Sequence, residues 1–457
     1  MKNDSINEAR GPLERMFHLK DHGTTVRTEI IGGLVTFFAM AYIIFVNPSY
    51  LAQTGMDFNA VMIATCVAAA VGCFLTAFIA NVPFAQAPGM GLNAFFTYTV
   101  CFGMGYTWQQ GLTIVLLSGI LFLAISLSPI RSKIISSIPA PLKAAISVGM
   151  GLFIAFVGLL NADIVKLFGD TVVEGAVVAT DYSDMGNILS GTPLLALIGI
   201  LVTGVLLAWK VKGAIFLGIV ATTLIGIPMG VTQIPETLAN TGMSVTSTLF
   251  KFDFHGLFAA GILPLITAVV TFAMFDCFDT VGTLIGTGGA AGLLDETGNL
   301  PRGDKALIAD AIATCTGACI GTSTVTTYVE SSTGISEGAR TGLSTVVVGI
   351  LFLLATVLAP VAGIVPGAAT APALIIVGVF MLGNVTKIDW TNIEDAIPCF
   401  LTITIMPFAY SISDGIGFGI ISYTIIKLLR GKAKEVPALM YILSAMFIAL
   451  YLLSYLK

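Results

Sequence analysis

The chain is 457 residues long, 56% apolar and only 10% charged, with a mean hydropathy of +0.95. A soluble domain carries about 25% charged residues, so this chain has too little charge to clothe a water-facing surface and is expected to be an integral membrane protein. Its net charge of −5 offers no basic field to nucleic acid.

A bilayer-spanning helix needs about 20 mostly apolar residues, and the pattern predicts an all-α polytopic protein with about fourteen such spans. Residues 1–28 form a polar tail with no short apolar core before a small-residue site, so no secretory signal peptide is expected. The first span is predicted over Glu29–Val46, stopping at Asn47-Pro48, and the second over Ala60–Ala80. The third, Val82–Phe102, is interrupted by Ala-Pro-Gly-Met-Gly-Leu-Asn at 87–93. The fourth covers Gly111–Leu127, and the fifth runs from Pro139 and Pro141 to Leu160. A polar, acidic loop extends from Asn161 to Gly191. The sixth and seventh, Leu194–Trp209 and Ala214–Met229, flank the basic turn Lys210-Val211-Lys212.

The eighth span, Leu257–Ile285, holds Asp276 and Asp279. The ninth, Ala306–Ile320, contains Asp310. The tenth, Gly321–Gly338, is rich in Ser, Thr and Gly and carries Glu330. The eleventh is Thr345–Val361. The last three fall at Ala371–Leu382, Ala396–Tyr410 and Ile416–Leu429, and Pro437–Leu456 is either a further helix across the membrane or one lying beside the bundle. Seven cysteines, at 66, 73, 101, 277, 315, 319 and 399, sit in apolar stretches without metal or redox spacing, as packing residues do.

Loop charges orient the chain. Connections after even-numbered spans carry Arg131, Lys133, Lys143, Lys210, Lys212, Arg302, Lys305, Arg340, Lys387, Lys427, Arg430, Lys432 and Lys434, and the tail carries Lys2, Arg10, Arg15, Lys20 and Arg27. The odd connections hold mainly Asp163, Asp170, Glu174, Asp181, Asp184, Glu236 and Asp253. The positive-inside rule puts the tail and the even loops in the cytoplasm. A faint repeat is present as well: Val35-Thr36-Phe37-Phe38-Ala39-Met40 in the first span echoes Val270-Thr271-Phe272-Ala273-Met274 in the eighth. Seven spans separate the copies, so the second enters from the opposite side, as in the inverted repeats of secondary transporters.

The two interrupted spans occupy matching positions in the halves. Backbone leaves helical bonding at membrane depth only where protein or a cavity satisfies it, so both breaks point at a common site near the midplane. Acidic residues within spans cost about 2.5–3.5 kcal/mol each on insertion scales and are functional candidates by default. Asp276 and Asp279 lie three apart and share one helical face; Glu330 sits in the second break. No Lys, Arg or His accompanies them within a span, so they can escape the cost by taking up protons. Asp276 serves equally well as a structural acceptor to a neighbouring helix, Asp310 is read first as holding core helices together, and Asp414, at a span end, is open to solvent.

Four segments carry a resemblance: Ala-Pro-Gly-Met-Gly-Leu-Asn-Ala-Phe-Phe (87–96), Phe-Asp-Thr-Val-Gly-Thr-Leu (278–284), Thr-Thr-Tyr-Val-Glu-Ser-Ser (326–332) and Gly-Ala-Arg-Thr-Gly-Leu (338–343). In this order and spacing they resemble the AzgA-like branch of the nucleobase–cation symporter-2 family, from about Leu13 to the carboxyl terminus. The resemblance implies a proton-driven purine nucleobase permease of the inner (cytoplasmic) membrane, specific for guanine and hypoxanthine or for adenine, without cofactor or metal, and a homodimer. It implies fourteen spans as two inverted sevens. A core domain would take residues 29–130 and 257–365, a gate domain 131–256 and 366–457. Glu330 matches the family's acid that bonds ring N–H groups, Asp279 the eighth-span acid near the substrate, and Asn93 the polar residue of the third-span break. Thr283 stands where uracil-transporting relatives carry a histidine, and Ser331 where they carry an asparagine. Asp279, Glu330 and Asp276 are the candidates for proton coupling, and Phe95 and Phe96 for stacking on the base.

Two other readings remain open on the residues alone. Carboxylates and carbonyls serve sodium as well as protons. An anion transporter on the same scaffold would want Lys or Arg in the cavity, against which Glu330 argues. An intramembrane enzyme is not expected, because no histidine lies in a span.

Overall fold

The computed structural model describes residues 11–128, 138–168, 171–173, 176–179, 182–233, 245–258, 261–290, 293, 300–358 and 364–455. Lys2, Arg10, Arg131, Lys133, Asp170, Glu174, Asp181 and Glu236, used above to orient the chain, lie outside these residues.

A short helix α1 (Pro12–Phe17) precedes α2 (Val26–Met40), whose first turn is capped by the Thr25 hydroxyl accepting from the Thr28 N–H. After a two-residue turn at Ala41-Tyr42 the chain resumes as α3 (Ile43–Leu51). The expected stop at Asn47-Pro48 is not there. The helix runs through both residues, because Asn47 is wholly buried and donates from Nδ2 to the hydroxyls of Thr65 (2.6 Å) and Thr322 (2.8 Å). A polar pair that reads as a loop is an interhelical hydrogen bond.

Helix α4 (Phe58–Leu75) starts on an Asp57 cap and passes into a π-helical turn at Thr76–Ala80. Strand β1 (Gln86–Pro88), the short helix α5 (Met90–Ala94) and a π-helical stretch Phe95–Gly103 make up the interrupted third span. Helix α6 (Trp108–Leu127) opens with a reciprocal Thr107–Gln110 capping box, and α7 (Ala140–Asn161) opens on Pro139. The acidic loop that follows is not structureless. Strands β2 (Val165–Phe168), β3 (Thr171–Val173), β4 (Ala176–Ala179) and β5 (Tyr182–Met185) pair antiparallel, β2 with β5 and β3 with β4. Their valines favour extended backbone.

Next come α8 (Gly191–Ala208), α9 (Ala214–Gly226), the long α10 (Ile262–Ala290) and α11 (Gly303–Ile320). The tenth span comprises β6 (Val325–Thr327) and α12 (Ser331–Ser336). The chain closes with α13 (Gly342–Ala355), α14 (Gly367–Leu382), α15 (Ile393–Phe408), α16 (Ile412–Leu429) and α17 (Ala438–Tyr455). Among the described residues, eight helical stretches are long and apolar enough to cross a bilayer, and three shorter apolar helices accompany them. The chain is a mostly helical integral membrane protein.

The helices pack in two groups. In one, α13 lies against α2 and α4, α11 against α4 and α6, and α10 against α6. In the other, α7 lies against α14 and α15, α15 against α16, and α8 and α9 against each other and α14. Small residues set the closest approaches, as between membrane helices generally. A Cβ on Gly32 of α2 would come within 2.7 Å of the Ala339 Cβ, and one on Gly334 of α12 would meet Thr36 and the Gly32 carbonyl.

Polar ties hold the ends. The buried Glu29 carboxylate accepts from the N–H groups of Arg340 (2.7 Å) and Ser344 (3.1 Å), capping α13. Lys212 pairs with Glu337 at 2.5 Å. Glu394 accepts from Lys432 (2.8 Å), Lys427 (2.9 Å) and Arg430 (3.0 Å), which together hold its carboxyl down at about 2.

Candidate functional site

The two breaks meet. Pro88 has a fixed φ and no N–H, and Val325-Thr326-Thr327 is β-branched and extended-favouring. β1 and β6 therefore pair antiparallel, with Gln86 opposite Thr327, Ala87 opposite Thr326 and Pro88 opposite Val325. Backbone groups that leave helical bonding find each other. The Tyr328 N–H donates to the Ala85 carbonyl and the Gly89 N–H to the Thr324 carbonyl, each at 3.0 Å. All six strand residues are buried, so this short sheet meets its backbone requirement inside protein rather than in lipid. Gly89 is needed for the approach, since a Cβ there would lie 2.6 Å from the Thr326 Cγ2. Two side chains lace the breaks further: the Tyr328 hydroxyl donates to the Pro88 carbonyl (2.5 Å), and the Ser331 hydroxyl accepts from the Ala85 N–H (3.0 Å).

A buried polar network joins the strand pair to α10 and α11. Asp310 of α11 accepts from Gln86 Nε2 (2.9 Å), Thr280 (2.9 Å) and Thr327 (3.0 Å). Asp276 of α10 accepts from Thr314 at 2.6 Å, and its Oδ1 has no partner. Thr280 and Thr326 share a further bond of 2.9 Å. Both acids are essentially unexposed. Each such bond contributes about 0.5–1.5 kcal/mol net, whereas leaving a buried partner unmade costs about 1–3. The network therefore fixes β1 and β6 on α10 and α11.

Glu330 stands between β6 and α12, at the residue before the helix, and is only half-buried. The Tyr42 hydroxyl, from the turn between α2 and α3, donates to its Oε1 at 2.6 Å. Asp279 is half-buried on α10 and lies within electrostatic reach of Glu330 and Tyr328. Three residues on a helix differ by about 60° round its axis. That angle separates two acids expected on one face: Asp276 is bonded into the network, whereas Asp279 is half-buried outside it.

The other candidates are placed as follows. Asn93 is wholly buried in α5, accepts from the Ser323 hydroxyl, and has an unpartnered Nδ2. Thr283 lies one turn beyond Asp279 on α10, half-buried. Ser331 is wholly buried and its hydroxyl is engaged by the Ala85 N–H. Phe95 and Phe96 are fully buried. Phe95 sits edge-on to Phe272 at 4.7 Å between centroids, and Phe96 fills the space over Gly111, so both rings serve packing.

Sequence reasoning passed over Tyr42, Gln86 and Ser323. Gln86 could have been found, as a lone carboxamide in an apolar run beside the first break. Tyr42 had no such signal, because an aromatic residue in a span reads as packing.

The sequence profile described as the Permease family matches residues 27–418. The chain is 42% identical over 451 residues to the guanine/hypoxanthine permease PbuG of Bacillus subtilis (strain 168), covering 96% of this chain and 99% of that one. It is 40% identical over 439 residues to the adenine permease AdeP of Escherichia coli (strain K12), covering 96% of each. In fold it is similar to the transmembrane domain of the cyanobacterium bicarbonate transporter BicA, with a TM-score of 0.61 at 16% identity, over 85% of this chain and 97% of that one.

Proposed function

The chain belongs to the permease family, and on that premise we propose that it is a secondary active transporter that imports purine nucleobases across the cytoplasmic membrane by proton symport. It is a transporter and not an enzyme. The observation that carries the reading is Glu330, half-buried before α12 with Asp279 within electrostatic reach, three residues after the strand β6 that pairs antiparallel with β1. A purine is flat and neutral, with N–H donors and ring acceptors on its edge. Glu330 accepts from ring N–H groups, Asp279 lies beside the base and carries the proton, and Asn93 Nδ2 is a donor for a ring nitrogen or carbonyl. Thr283 and Ser331 complete the lining, and Asp276 backs the proton site.

The architecture we propose has fourteen spans in two inverted sevens. The packing group holding both breaks is the core domain and the other is the gate. Polar ties between loops support this topology. Lys212 with Glu337, Glu394 with Lys427, Arg430 and Lys432, and Glu29 with Arg340 each join segments assigned to the cytoplasm. Gln110 with Asp253 (3.0 Å) joins two assigned to the opposite side. Single cysteines at Leu189 and Lys210, which flank α8, should label from outside and inside respectively in intact cells. Labelling of both from one face would sink this count.

Importing one positive charge with a neutral base gains about 2.3 kcal/mol per 100 mV, enough for roughly fifty-fold accumulation. The test is uptake of labelled adenine, guanine, hypoxanthine, xanthine and uracil in cells lacking their own carriers. Saturable purine uptake should appear, be abolished by a protonophore and ignore sodium removal. A sodium requirement without a proton requirement would overturn the coupling, and preference for uracil over every purine would overturn the substrate.

A further inference from the structure

We infer that Tyr42 is a specificity-determining residue, which engages one oxygen of Glu330 and so leaves that carboxylate one unengaged oxygen for the edge of the bound base. The inference rests on the reading of Glu330 as the acid that meets the base.

Tyr42 sits in the two-residue interruption between α2 and α3, where helical backbone gives way without a proline or glycine at the turn itself. Its side chain is 1% exposed, and its neighbours Ala41 and Ile43 are fully buried. The ring cannot swing, so the hydroxyl is a fixed point. The 2.6 Å separation from Glu330 Oε1 is that of an O–H donating to a carboxylate. Both ends of the bond are anchored. The close approach of Gly32 to Ala339 and of Gly334 to Thr36 seats α2 on α12, and Glu29 ties the start of α2 to α13. The phenol therefore holds the carboxylate in one orientation.

A free carboxylate presents two parallel acceptors, the geometry that matches two adjacent N–H donors. Guanine carries such an edge, with N1–H beside an N–H of its 2-amino group. Hypoxanthine has N1–H beside a C–H. With one lone pair of Oε1 engaged by Tyr42, Oε2 is the oxygen wholly open to the base, and the second donor of guanine meets an oxygen already polarised by the phenol and gains less. Tyr42 thus keeps one-donor and two-donor edges close in affinity. Removing the hydroxyl releases Oε1 and favours the two-donor edge.

The experiment is titration of purified full-length protein with guanine and with hypoxanthine. Tyr42→Phe keeps the ring and deletes the donor. Hypoxanthine binding should weaken, because the carboxylate is no longer held, while guanine binding is retained, so that the ratio of the two Kd values moves by about tenfold towards guanine. Glu330→Asp breaks the same bond from the other side, by withdrawing the carboxylate from the phenol. It should move the ratio in the same direction, and adding Tyr42→Phe to it should change the ratio by less than about twofold. Equal weakening of both bases in Tyr42→Phe, or no change in either, would overturn the inference, as would independent effects of the two substitutions. Failure of the unaltered protein to bind either oxopurine overturns it too; adenine binding in that case preserves the function proposed above, and absence of all purine binding overturns both.

Discussion

Glu330→Gln is expected to weaken purine binding by about ten- to a hundredfold while leaving the protein folded. The substitution keeps size and turns one acceptor oxygen into an NH2 donor. Tyr42 decides which way the new amide faces. Its hydroxyl donates to Glu330 Oε1, so the glutamine places its carbonyl there and its NH2 towards the cavity. A base N–H that met Oε2 now meets another N–H, and a buried donor left without an acceptor costs about 1–3 kcal/mol. Glu330→Asp retains charge but draws it back by one methylene, so partial transport with weaker binding is expected. Direct binding to the purified variants measures this, because uptake alone mixes affinity with coupling. Unaltered affinity in Glu330→Gln would mean that the acid does not touch the base.

The breaks and the acids were legible because a membrane makes them expensive. A proline with two glycines at 87–93, and a run of Ser and Thr at 322–334, cannot face lipid. What the sequence could not carry was the pairing between them. Gln86 opposite Thr327 joins residues far apart in the chain, and no local pattern encodes that register. The same limit applies to Asn47 and Asp310. Asn47-Pro48 reads locally as a stop, and only the burial of Thr65 and Thr322 beside it turns the pair into helix interior. Asp310 reads as one more acid in a span, until Gln86, Thr280 and Thr327 converge on it from three other segments. Tyr42 was the hardest to see, because its function lies in one hydroxyl that meets a residue 288 positions away. The nested strands between α7 and α8 were hidden for a different reason. The acidic residues around them dominate a reading for loop, although Thr171-Val172-Val173 and Ala176-Val177-Val178-Ala179 have the residues of strands.

Asp279→Asn should behave differently from any change at Glu330, and the contrast separates binding from coupling. Asp279 lies on α10, one turn from Asp276 and near Glu330. Asparagine is nearly isosteric and can still offer an acceptor to the base, but it cannot take up or release a proton. If Asp279 carries the proton, the variant still binds purine, within about threefold of the unaltered affinity, since a neutral acceptor replaces a protonated acid. Loaded into vesicles, it still exchanges internal for external base, because exchange needs no net proton movement. Accumulation is what disappears. The electrical drive of about 2.3 kcal/mol per 100 mV acts only on a carrier that moves charge with the base, and without it the internal concentration rises no further than the external one. The measurement pairs counterflow of labelled purine with concentrative uptake under an imposed proton gradient. Uphill uptake that survives in Asp279→Asn would move the proton to Glu330 or Asp276. Loss of counterflow together with uptake would make Asp279 a binding residue like Glu330, and the division of labour between the two acids would fall.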